Sequence, residues 1–180
     1  GGGSSDAAAV LRGLNQLTGS TLTTDQLCEV AATIGSDIPF FIHGTTCDAT
    51  GRGEIVTPVD FPHKLIVLLI KPPFPISTPW AYKNWLTSEE LPDVRYGPQS
   101  CAWGVMVNDL ERPVFAKYLQ LPVLKMWLFD QPETRAALMS GSGSTMFAVV
   151  DDEQAGAALA ERARAFIGET SWIQVAHTIG

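Results

Sequence analysis

Apolar residues open the chain in steps of three and four. Ala7, Val10, Leu11, Leu14 and Leu17 lay one stripe along a helix expected from Ser4 to Leu17, with Gly19 placed to end it. Thr23 and Gln26 have the spacing of a capping box. Leu27, Val30, Ala31 and Ile34 carry the same period on to a terminating Gly35, which predicts a second helix. In "SDIPFFIHG" that follows, Pro39 bars a simple continuation. "TTCDATG" and "GEIVTPV" then read as two short strands joined by a turn at Gly51 to Gly53.

Beyond this point the pattern changes. "LIVLLI", Leu65 to Ile70, is far too short to cross a bilayer and reads as a buried strand. Helical stretches are expected near Trp80 to Leu86, Met106 to Tyr118 and Val123 to Phe129, with Thr87 to Gly104 as loop. "AALMS" and "STMFAVV" read as strands meeting at "GSGS". Asp151 or Asp152 caps a helix bearing Ala155, Ala158, Leu159, Ala163 and Phe166, Gly168 stops it, and "SWIQVAHTI" supplies a last strand. Polar and proline content rises at Asp60 to His63, which divides the chain into a domain of residues 1–62 and one of residues 63–180. Irregular alternation with hairpin-like strand pairs predicts an α+β sandwich rather than a doubly wound sheet.

Composition narrows the function classes. Of 180 residues, 46% are hydrophobic and 17% charged, the balance of a folded chain. A net charge of −7 without any run of Lys or Arg argues against a nucleic-acid surface. No basic stretch followed by an apolar one marks a secretory leader. Cys28, Cys47 and Cys101 are an odd set with no CxxC pairing, as expected of free thiols in a reducing compartment. His43, His63 and His177 lack metal-ligand spacing, no residue is assigned to a protein-bound metal, and no GxSxG elbow supports a hydrolase.

Candidate chemistry starts at the first residue. A glycine-rich stretch entering a helix can wrap main-chain amides around a phosphate, because side chains would block the approach. Gly1, Gly2 and Gly3 offer that access, Ser4 and Ser5 add hydroxyls for phosphate oxygens or Mg²⁺, and Asp6 can accept from amides or hydroxyls nearby. The five residues alone fit a flexible linker equally well. The whole run "GGGSSDAAAVLRGLNQLTG" resembles the second motif of the GHMP small-molecule kinases, in the form carried by the branch that serves non-mevalonate isoprenoid synthesis.

Further segments extend that resemblance in order. "GSDIPFFIHG" is similar to the family segment whose aspartate is catalytic, which falls on Asp37; a carboxylate there can orient a substrate hydroxyl and accept its proton. "ISTPWAYKNW" resembles the segment that places a hydroxyl and an aromatic ring on a cytosine, so Thr78 and Tyr82 are the substrate-binding candidates; Trp80, Tyr82 and Trp85 would equally serve as packing. "VNDLE" also recurs in the family, and here Asn108 and Asp109 are expected to cap the following helix. "LMSGSGSTMFAV" resembles the third motif, a glycine-rich turn near nucleotide and substrate phosphates, which marks Gly141, Ser142 and Gly143 as substrate-binding, with Ser144 a further donor.

The resemblance implies a GHMP kinase two-domain fold, with an incomplete ribosomal-protein-S5-domain-2-like part followed by a ferredoxin-like α/β sandwich. It implies transfer of the γ-phosphoryl group of ATP, with Mg²⁺, to the 2-hydroxyl of a cytidine-diphosphate-linked methylerythritol in the bacterial cytoplasm or plastid stroma, without nucleic-acid or membrane partners. Family members supply a catalytic lysine from a segment before the glycines, so a chain starting there is expected to be a fragment with little or no activity alone. Another GHMP kinase with a different alcohol substrate, or a noncatalytic nucleotide-binding relative, would share the glycine-rich segments.

Overall fold

The computed structural model describes residues 1–19 and 21–178. They form two compact units, Gly1–His63 and Lys64–Thr178.

The first unit has three helices, α1 (Gly2–Leu17), α2 (Thr24–Ile34) and α3 (Ile38–His43), and a hairpin of β1 (Cys47–Thr50) with β2 (Ile55–Pro58). Helix α1 begins two residues earlier than the apolar stripe indicates. The glycines read as a loop form its first turn, where Gly1 serves as the N-cap. A side chain at position 1 would strike the Phe41 ring, 3.0 Å from where a Cβ would stand. Ala8, Leu27, Ala31, Ile38 and Ile42 make the core, with Ala7, Leu11, Cys28 and Phe41 packed on it. The stripe is therefore only partly spent, because Val10, Leu14 and Leu17 stay exposed.

Local chemistry sets the ends of the next two helices. Thr23 Oγ1 accepts from the Gln26 amide at 3.3 Å while Gln26 Oε1 accepts from the Thr23 amide at 2.9 Å, the reciprocal capping box. Pro39 does not break the chain into a loop. It sits in the first turn of α3, where its missing N–H would be unpaired anyway, and Gly44 closes α3 at φ 65°.

The second unit is built on a four-stranded sheet in the order β6-β7-β3-β8, from β3 (Ile66–Lys71), β6 (Thr134–Met139), β7 (Met146–Val150) and β8 (Trp172–His177). All neighbours are antiparallel. Helices α4 (Thr78–Asn84), α5 (Glu111–Lys117) and α6 (Gln120–Phe129) lie between β3 and β6 in sequence, and α7 (Glu153–Ile167) joins β7 to β8. This is the strand order of a ferredoxin-like α/β sandwich. Leu68 and Ile70 of the central β3, Phe115, Leu121 and Leu128 of the helices, and Met146 of β7 are fully buried.

Several expectations shift by a few residues. The helix expected from Met106 begins only at Glu111, because Gly104–Met106 is β5 and pairs with β4 (Gln99–Cys101) inside the stretch read as loop. Helix α6 starts at Gln120, with Pro122 tolerated in its first turn. Asp152 rather than Asp151 caps α7, accepting from the Ala155 amide at 2.7 Å. Ile179, at the end of the expected last strand, lies outside the described residues. No described helix is long and apolar enough to cross a membrane.

Candidate functional site

In the first unit, the Ser5 amide donates to the Gly1 carbonyl at 2.9 Å, so helical bonding starts there and the amides of Gly2, Gly3 and Ser4 remain at the head of α1. These donors and the helix dipole favour an anion. Ser4 and Ser5 are half-buried, and no described group hydrogen-bonds their hydroxyls. Asp37 precedes α3, one turn before the Phe41 ring that meets the α1 head. A capping aspartate would adopt extended backbone angles and accept from the first turn. Asp37 instead has φ −84° and ψ −12° and makes no capping bond. Asp37 is exposed, and a Cβ at Gly53, between β1 and β2, would stand 3.7 Å from its Oδ1.

The thiol nearest to a potential base is elsewhere in this unit. Cys28 Sγ lies 3.5 Å from His43 Nε2. Burial pushes the Cys28 thiol up, and Asp25 and Cys47 push it the same way. A shift in that direction works against a thiolate nucleophile.

In the second unit, the turn between β6 and β7 holds Gly141 at φ 54° and Gly143 at φ 82°. The space at Gly143 is filled, since a Cβ would come within 2.7 Å of Met139 Sδ and 2.9 Å of Ile76 Cδ1. The turn is closed by the Ser140 amide on the Thr145 carbonyl at 2.8 Å and the Gly143 amide on the Ser140 carbonyl at 3.0 Å. Thr78, in the first turn of α4, meets it hydroxyl to hydroxyl, with Oγ1 2.7 Å from Ser142 Oγ. Tyr82, one turn along α4, is 65% exposed and lines a cleft of about 830 Å³ with Trp85, Val107, Asn108, Ser140 and Gly141. Thr78 and Tyr82 thus stand beside the glycine turn, although more than fifty positions separate them in sequence.

Ser144 plays a different part from its neighbours. It is fully buried, donates to the Phe74 carbonyl at 2.6 Å and accepts from Lys71 Nζ at 3.2 Å. It anchors the turn and faces no ligand.

The segment "VNDLE" does not cap α5 in the expected way. The N-cap is Leu110, without a side-chain bond. Asn108 reaches across the fold, donating through Nδ2 to the carbonyls of Met139 at 2.6 Å and Gly141 at 2.8 Å, while Oδ1 accepts from the Leu110 amide at 3.0 Å. Glu111 is completely buried, accepts from the Met139 amide at 2.8 Å and pairs with the buried Lys125 ammonium. Burial pushes the Glu111 carboxyl up, and Lys125 and the Met139 amide draw it partly back. Gln99 completes the series, donating to the Ala137 carbonyl at 2.9 Å and accepting from its amide at 3.0 Å. Polar residues at these positions were the only trace in the sequence, and nothing there tells which strand they reach.

Comparison with known proteins supplies the remaining observations. The family model described as GHMP kinases N terminal domain matches residues 1–45, and that described as GHMP kinases C terminal matches residues 102–168. The 4-diphosphocytidyl-2-C-methyl-D-erythritol kinase of Methylacidiphilum infernorum is 42% identical over 189 aligned residues, covering 97% of this chain and 62% of that protein. The protein of the same name from Thermodesulfovibrio yellowstonii is 36% identical, covering 99% of this chain and 65% of its own length. A crystal structure of 4-(cytidine 5'-diphospho)-2C-methyl-D-erythritol kinase superposes with a TM-score of 0.78 at 30% identity, covering 100% of this chain and 66% of the other. The chain therefore spans somewhat less than two thirds of the length of the relatives it matches.

Proposed function

The chain belongs to the GHMP kinase family, and from that premise we propose that it provides part of an ATP-dependent kinase acting on the 2-hydroxyl of 4-diphosphocytidyl-2-C-methyl-D-erythritol. The observation that carries this reading is the grouping beside one cleft of Thr78, Tyr82 and the turn Gly141–Gly143, all from segments resembling that kinase. The exposed Tyr82 ring offers a stacking face for cytosine. The glycine turn offers the Gly141 and Ser142 amides and the Ser142 hydroxyl to diphosphate oxygens, the Gly143 amide being spent on the Ser140 carbonyl. We read Gly1–His63 as belonging to the nucleotide-binding domain and Lys64–Thr178 as the C-terminal domain.

In the reaction, the substrate oxygen attacks the γ-phosphorus as the bond from that phosphorus to the β–γ bridging oxygen breaks. The hydroxyl proton passes to Asp37, and ADP departs with the bonding pair. Amides at the α1 head, from Gly1 through Ser5, hold the ATP phosphates. The uncommitted Asp37 carboxylate suits proton acceptance, since no competing hydrogen bond must break first. Mg²⁺ bound with ATP would neutralise phosphate charge. The free hydroxyls of Ser4 and Ser5 are hard oxygen donors of the kind it takes.

Positioned positive charge is needed on the transferring group. The relatives extend over a length that this chain does not span, so the activity is assigned to the protein expressed at the full length of its gene. ADP release by that protein with the cytidine diphosphate substrate, set against a panel of other small alcohols, tests the reading. Turnover confined to the cytidylyl substrate is expected; preference for another alcohol would reassign the kinase.

A further inference from the structure

The strand β6 forms one edge of the four-stranded sheet, and its outward main-chain groups next to the glycine turn are bonded by side chains. Asn108 and Glu111 together engage both the amide and the carbonyl of Met139. Asn108 then reaches the Gly141 carbonyl as well, inside the turn itself. Its amide orientation is fixed by its partners, because Oδ1 meets the Leu110 N–H and both Nδ2 hydrogens face carbonyls. Every polar hydrogen of the side chain is used.

Gly141 has positive φ and open space around it, so its backbone is the less restrained of the two glycines of the turn. The turn's own closing bonds run from Ser140 to Thr145 and from Gly143 to Ser140; the second spans Gly141 and Ser142, but neither engages the Gly141 carbonyl, which Asn108 takes. We propose that Asn108 is a positioning residue for the kinase reaction: it fixes the Gly141 peptide, and through it the amides that the turn presents to the substrate diphosphate. The proposal rests on the reading of Gly141–Gly143 as a substrate contact. Glu111, held by Lys125, acts two residues further back by fixing Met139.

Gln99 supplies the control. It makes the same kind of paired contact on the same strand edge, at Ala137, but does not touch the turn. Asn108→Asp keeps the acceptor for the Leu110 amide and sets an oxygen against two carbonyls. Gln99→Ala removes two main-chain contacts of similar worth.

In the full-length protein, Asn108→Asp is expected to lower kcat/KM for the cytidine diphosphate substrate on the order of 100-fold while leaving KM for ATP unchanged. Gln99→Ala is expected to lower the melting temperature comparably and leave kcat/KM within about twofold. Equal losses of kcat/KM in both variants, or none in Asn108→Asp, overturn the proposal. Amide hydrogen exchange provides a readout independent of turnover. Residues 140–145 should exchange on the order of tenfold faster in Asn108→Asp than in the parent or in Gln99→Ala. Unchanged exchange there overturns the positioning role, whereas a parent protein that turns over no cytidylyl substrate overturns the kinase reading and leaves the exchange result to decide this one.

Discussion

Thr78 Oγ1 and Ser142 Oγ lie 2.7 Å apart, which ties the start of α4 to the turn between β6 and β7. One hydroxyl donates to the other, so each pair of such groups leaves one hydrogen and several lone pairs for a ligand. Thr78→Val and Ser142→Ala are each expected to raise KM for the cytidylyl substrate. Because they break the same bond, the double variant should cost less than the sum, with a coupling of about 0.5–1.5 kcal/mol. Strict additivity in kcat/KM would show that the two hydroxyls act apart.

Asp37 makes no hydrogen bond to any described residue that would hold the fold together. Asp37→Asn should therefore leave the urea midpoint unchanged and lower kcat by roughly 100- to 10,000-fold in the full-length protein, the range of a lost general base. Undiminished turnover would remove Asp37 from the chemistry and favour a noncatalytic nucleotide-binding role.

The two glycines of the turn should differ in their tolerance. Gly143→Ala combines a φ of 82° with a Cβ pressed against Met139 and Ile76, whereas Gly141 has φ 54° and open space around it. Equilibrium unfolding is expected to show a loss of about 2–4 kcal/mol at position 143 and about 1 kcal/mol at position 141.

Lys125→Met should make stability depend on pH in a definite sense. Burial already pushes the Glu111 carboxyl above its ordinary value near 4.5, and Lys125 is the first of the groups that oppose this. Without the ammonium the folded-state value rises further. A carboxyl raised on folding contributes stability that is present below its unfolded value and is lost as pH rises through the folded one. Urea unfolding at a series of pH values should show a small penalty near pH ~4 that grows to about 3–5 kcal/mol near neutrality. A penalty independent of pH would mean that Lys125 does not draw down the Glu111 carboxyl.

Much of the fold could be read from local pattern. The capping box at Thr23, the helices α2 and α7, the β1–β2 pair and the β6–β7 hairpin all rest on near-neighbour chemistry, and the structure forms each of them, although Val30, Ile34 and Phe166 of the expected stripes stay exposed. Pattern failed where two local signals compete. Pro39 breaks a helix interior yet suits a helix start, and three glycines favour a loop, yet Gly2 and Gly3 enter the first turn of α1 with open space around them while Gly1 alone faces the Phe41 ring. The site was legible as separate segments, because glycines at positive φ and a ring beside a hydroxyl carry their chemistry in sequence. What joins them was not. Asn108 reads as a local cap, and its bonds to residues 31 and 33 positions away depend on the sheet placing the end of β6 beside it. The burial of Glu111 with Lys125 is equally silent, since helical periodicity ranks charged positions as outward.

Strands at the margin of a sheet invite pairing with another chain. On the β6 side that invitation is withdrawn at Ala137 and Met139, where Gln99, Asn108 and Glu111 imitate a further strand with side chains. A second chain would have to displace Gln99, Asn108 and the buried Glu111–Lys125 pair to extend the sheet there.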